Sequence, residues 1–176
     1  MAIIVDTCCF SRLFSRTNKE HKEFEPVLKW VFEGHGFLVY GGTKYHEELL
    51  KAGTFLKMFR LLNTFNKLVK FPDKLIDEYE KKFKLMITDK KFNDPHLPAI
   101  VRVSKCRLIC SKDIESMEFV TNPLLYPKRF HLPNYYTGLK DTHLLVDENI
   151  DKRLLAHRCL LNKRQKEKLD ILTNSL

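Results

Sequence analysis

No apolar run in this chain approaches the roughly 18 residues that a membrane-spanning helix requires. No basic stretch and small-residue cleavage site mark a secretory leader, so a cytoplasmic location is expected. Cysteines at zinc spacing are missing too. Cys8 and Cys9 are adjacent, Cys106 and Cys110 lie four apart, and the total of five is odd. That pattern argues against a disulfide framework and against a zinc knuckle. It suits reduced, mostly buried thiols. The sequence shows no internal repeat, no low-complexity linker and no Ser-His-Asp or Cys-His arrangement for nucleophilic catalysis.

Positive charge is what the chain has in excess. Lysine and arginine number 31 against 22 acids, a formal charge of +9 with a pI near 9.3. Such a balance favours polyanionic partners, RNA or DNA before an anionic membrane. A length of 176 residues suits one domain with a sizeable core.

Short β-like runs alternate with helical periodicity. Ala2-Ile3-Ile4-Val5 reads as a buried first strand. Phe24, Val27, Leu28, Val31 and Phe32 fall at helical spacing within residues 21–33, and Gly34-His35-Gly36 ends that helix. A second strand covers 37–40. Thr43 is a plausible N-cap for a helix to about residue 51, and a further helix is expected over 55–68. Val69-Lys70-Phe71 is a short strand or a connection. A helix begins at Pro72-Asp73, and another follows Asn93 or Asp94 as cap with Pro95 at its first position. Residues 106–110 form a strand, and a short helix is expected over 114–119. Residues 121–138 carry three of the seven prolines and read as extended. From Asp141 the pattern is helical, ending in the basic run 162–168. The alternation predicts an α/β fold in three layers, with a mainly parallel central sheet covered on both faces.

Four acids stand at element ends in that fold. Asp6 closes the first strand and Asp113 follows Arg107-Leu108-Ile109-Cys110. Glu48 rides the helix after the second strand. Asp94 opens Asn93-Asp94-Pro95-His96-Leu97. In open parallel sheets ligands bind outside the carboxyl ends of the strands. Carboxylates gathered there repel one another unless a hard cation neutralises them, and Mg²⁺ or Mn²⁺ fits. A carboxylate-held divalent ion on a basic chain points to phosphodiester chemistry. Thr7 and Ser111 are placed to hydrogen-bond a carboxylate or a metal-bound water. Arg12, Arg16, Lys19, Lys44 and Lys112 are candidates for the phosphate backbone. His96 is expected to pack beside the site, and the run 163–168 to be a solvated helix end.

Four segments resemble the PIN domain, the α/β fold of many metal-dependent ribonucleases, including toxins of bacterial toxin–antitoxin pairs. Ile3-Ile4-Val5-Asp6-Thr7 is similar to the opening strand with its first metal-binding Asp. The segment from Gly41 to Leu50 is similar to the second acidic motif, in which a Glu precedes a Leu. That favours Glu48 over its neighbour Glu47. Asn93 to Ile100 resembles the third motif, and Leu108-Ile109-Cys110-Ser111-Lys112-Asp113 the fourth. The resemblance covers about residues 1–125 and leaves 126–176 as an extension packed on that core. It implies Asp6, Glu48, Asp94 and Asp113 as both the metal-binding and the catalytic set. Glu118 is implied as a further acid after the fourth motif, with Glu115 as the substitute. The implied activity is endonucleolytic cleavage of single-stranded RNA. A homodimer and a cognate inhibitor protein over the acidic site are implied partners.

Two other readings compete. A non-catalytic module of the same fold would bind nucleic acid or protein without cutting. A receiver-like phosphoacceptor domain would want a second acid after Asp6, where Thr7 and Cys8 stand.

Overall fold

A computed structural model describes residues 2–146 and 152–176. Five strands form one parallel sheet: β1 (Ala2–Val5), β2 (Phe37–Gly41), β3 (Leu68–Phe71), β4 (Leu108–Cys110) and β5 (Asn134–Tyr136), in the order β3-β2-β1-β4-β5. Every residue of β1 and of β4 is buried, as strands covered on both faces must be. The edge strands β3 and β5 are partly exposed. Eight α-helices accompany the described sheet: α1 (Phe10–Phe14), α2 (His21–Phe32), α3 (Thr43–Lys51), α4 (Leu56–Thr64), α5 (Asp73–Met86), α6 (His96–Ser104), α7 (Ile114–Val120) and α8 (Lys163–Ser175). The fold is α/β in three layers, as the alternation predicts. None of the described helices is long and apolar enough to cross a membrane.

The sheet order fixes where a site can lie. The chain steps from β1 outward through β2 to β3, then returns to lay β4 on the other side of β1. The reversal opens a crevice at the carboxyl ends of β1 and β4, the place where doubly wound sheets bind ligands. Asp6 and Ser111 are the first residues beyond those two strands.

Several elements depart from their expected form. The helix expected over 55–68 is α4 alone, and β3 begins at Leu68 because the edge of β2 is open to pairing there. Thr43 does not cap α3. Gly42 takes that position at φ 89°, where a Cβ would meet Ile76 Cγ2 at 2.6 Å. Two acids of α5 cap α3 instead. Asp73 accepts from Gly42 N at 2.9 Å, and Asp77 accepts from Thr43 N at 2.8 Å and Thr43 Oγ1 at 2.6 Å. The basic run opens a helix rather than ending one. Asn162 and Gln165 form a capping box at the start of α8. The stretch after Asp141 winds as 3₁₀ turns over Leu139–Leu144 and Lys152–Arg158 before α8, and residues 147–151 of it lie outside the described residues. The extension expected after residue 125 also contributes to the sheet, since β5 pairs with β4 from Leu108↔Asn134 to Cys110↔Tyr136.

Candidate metal centre

Asp6 leaves β1 with its backbone still bonded into the sheet, Asp6 N donating to Cys110 O at 2.9 Å. The residue is 6% exposed. Ser111 Oγ donates to Asp6 Oδ2 at 2.6 Å, Cys8 Sγ to the same oxygen at 3.2 Å, and Cys8 N to Oδ1 at 3.3 Å. The last bond caps the 3₁₀ turn Thr7–Cys9. Ser111 Oγ also accepts from Asp113 N at 3.0 Å. One buried hydroxyl therefore ties together the acids that end β1 and follow β4. Asp113 in turn caps α7, accepting from Ser116 N at 3.1 Å.

Glu48 arrives from α3. Tyr45 anchors that helix, its buried hydroxyl donating to Val5 O at 2.6 Å. Glu48 is three residues on, hence on the same helical face. Thr7 Oγ1 donates to Glu48 Oε2 at 2.9 Å, and Lys44 Nζ lies 3.4 Å from Oε1. Glu47 is exposed and faces Lys81 and Lys84 across a surface cleft.

Asp94 precedes α6 without capping it. No side chain caps that helix, and only the Asp94 carbonyl is engaged, by Leu97 N at 3.1 Å. The carboxylate is left facing the other acids. Burial pushes the Asp94 carboxyl above its ordinary range; His96 opposes the shift, and Asp6, Glu48 and Asp113 add to it. Asp6, Glu48 and Asp113 thus all act on Asp94. Donor atoms of Glu48, Asp94 and His96 lie within 4.8 Å of one another. At that spacing two carboxylates repel by about 3 kcal/mol at an effective dielectric of about 20. Lys44 offsets part of this from one side only.

Two residues of the site carried little or no signal in the sequence. His96 was legible as part of the third motif and as a residue packing beside the site or touching substrate, not as a ligand; it is 1% exposed between Glu48 and Asp94. Tyr135 comes from β5. Its neighbour Tyr136 turns to α2, donating to Glu23 O at 2.9 Å with its ring on Phe24, so Tyr135 faces the opposite side of the sheet. Burial raises the Tyr135 phenol, and Asp6, Asp113 and Asp94 add to the shift.

Other expected residues lie elsewhere or are already paired. Glu118 and Glu115 are exposed on α7, and among the described residues no hydrogen bond or ion pair joins Glu118 to the four acids. Arg16 binds α8 through Asp170 and Asn174, both at 2.9 Å. Arg12 pairs with Glu20 and donates to Cys8 O at 2.7 Å. Lys112 sits 3.0 Å from Glu20 and 3.2 Å from Glu23. Lys19 is exposed.

The donor set fits a divalent cation. It is rich in carboxylate oxygens, and both ring nitrogens of His96 are buried without a hydrogen-bond partner.

No protein-family model, curated protein or solved structure matches the chain.

Proposed function

We propose that this protein is a Mg²⁺- or Mn²⁺-dependent endonuclease of the PIN-like kind, hydrolysing phosphodiester bonds in single-stranded RNA. The observation that carries the reading is the convergence of Asp6, Glu48, Asp94 and Asp113 at the crevice between β1 and β4. A bound divalent ion would supply hydroxide near neutral pH and offset charge on the phosphoryl and leaving oxygens. The four acids would hold that ion, directly or through water. Ser111 and Thr7 would fix the Asp6 and Glu48 carboxylates in place. Lys44 and Lys112, at the rim, would meet RNA phosphates once released from their acidic partners. A cytoplasmic location belongs to the same proposal, since five free thiols suit a reducing compartment. So do a homodimer and an inhibitor protein covering the acidic edge.

One observation favours the non-catalytic module. Of the named basic side chains, Arg12, Arg16, Lys44 and Lys112 already contact acids. A cleavage assay separates the two readings. Labelled single-stranded RNA should be cut with Mn²⁺ or Mg²⁺ and left intact with EDTA. Asp6→Asn and Asp113→Asn should each abolish cutting while the circular dichroism spectrum stays native. Unchanged cleavage by either variant removes that residue from the site, and no cleavage by the unaltered protein with either ion leaves the binding module.

A further inference from the structure

We propose that His96 is itself a metal ligand, so that Glu48, Asp94 and His96 form a mixed nitrogen–oxygen centre that takes Mn²⁺ in preference to Mg²⁺. The inference rests on the metal reading above and departs from an all-carboxylate ligand set.

The ring is 1% exposed, and neither Nδ1 nor Nε2 has a hydrogen-bond partner. A neutral imidazole carries one N–H donor and one acceptor, and its cation carries two donors. Leaving such a group buried and unsatisfied is costly, so a buried orphan calls for a partner.

The spacings suggest which partner. Nε2 lies 3.7 Å from Glu48 Oε2, and Nδ1 lies 3.9 Å from Asp94 Oδ1. Both exceed the roughly 2.7–3.2 Å of an N–H···O bond. Two atoms that each sit about 2.0–2.2 Å from a common ion are about 3 Å apart at a right angle and about 4 Å apart when opposite. The observed gaps fall inside that range. One ring cannot offer both nitrogens to one ion. One nitrogen therefore takes the ion, and the N–H of the other turns to a carboxylate oxygen not bound to that ion, the arrangement that orients histidine ligands elsewhere.

The surroundings hold the ring for this task. His96 is the first residue of α6, just past Asp94-Pro95. Its ring packs edge-on to Tyr45 at 6.4 Å, and Tyr45 is fixed to the end of β1 by its bond to Val5 O. The chemistry then sets the preference. Mg²⁺ favours oxygen ligands and keeps several waters. Imidazole binds first-row divalent ions better than it binds Mg²⁺, and among those ions Mn²⁺ is the one that also suits carboxylates and water.

The test uses the full chain loaded with Mn²⁺ alone and pulsed EPR, in which a directly bound imidazole gives ¹⁴N modulation of the electron spin echo. The unaltered protein should show that modulation. His96→Gln should abolish it and weaken Mn²⁺ binding by about tenfold or more, with little change for Mg²⁺. His46→Gln, on the exposed part of α3, should keep it. His96→Asn serves if the Gln variant does not fold. Bound Mn²⁺ without ¹⁴N modulation, or modulation that survives loss of His96, overturns the inference and leaves the acidic metal site standing. Failure of the unaltered protein to bind Mn²⁺ overturns both.

Discussion

Glu47 and Glu48 differ by one position and by about 100° around α3. Glu48 meets Thr7 and His96, whereas Glu47 is exposed beside α5. Glu48→Gln should therefore remove cleavage and weaken Mn²⁺ binding, and Glu47→Gln should leave both near wild type. The reverse pattern would move the site by one residue. Ser111→Ala removes no acid but frees Asp6 and Asp113 from each other, and a loss of about 10–100-fold in metal affinity is expected. Unchanged affinity would deny Ser111 that role. Neutralising an acid of the cluster relieves like-charge repulsion in the metal-free protein. Structure narrows this, because Asp6 and Asp113 also cap local turns. Asp94 caps nothing through its side chain, so Asp94→Asn is the variant that should raise the melting temperature of EDTA-treated protein. The sign follows from its raised pKa. The folded state holds the Asp94 proton to higher pH than the unfolded chain does, so stability falls as pH rises from the ordinary aspartate pKa through the folded one. That fall should shrink in Asp94→Asn, and an identical pH profile in the two proteins would contradict it. Asp6 and Asp113 were readable because each follows a short apolar run. His96 stood in the third motif, but its place against Glu48 was not readable, because the two lie 48 positions apart.

Elements carry their own lesson. β1, β2 and α2 announce themselves through buried runs or apolar spacing, and α5 through its start at Pro72-Asp73. β5 does not, since three residues among prolines give no period to read. It became a strand because β4 offered an unpaired edge, and it brings Tyr135 to the acids. Truncation after residue 125 would remove β5 together with buried Tyr136, Leu161 and Leu169. The truncated chain should lose cooperative thermal unfolding, and a sharp transition near that of the full chain would show that the core ends earlier. The capping of α3 by α5 was also invisible, because Asp73 and Asp77 lie 31 and 34 residues beyond the amides they cap. Asp77→Ala should cost about 0.5–2 kcal/mol in urea unfolding. It should also reduce Mn²⁺ affinity if α3 sets the position of Glu48; a destabilised variant with wild-type affinity would uncouple the two.

At the scale of the molecule a net charge of +9 coexists with an acidic crevice. If RNA is the partner, several phosphates must meet lysines and arginines outside the four acids. Affinity of Asp94→Asn for single-stranded RNA should then fall linearly on a log–log salt plot, with slope about −0.7 per phosphate contacted. A flat response would remove backbone recognition. Metal binding in the crevice itself is tested by diffraction from crystals soaked in Mn²⁺. The expected result is an anomalous peak among Asp6, Glu48, Asp94 and Asp113, lost in crystals of Asp94→Asn. A fully soaked crystal with no peak there, or with its peak at another surface, would contradict the claim.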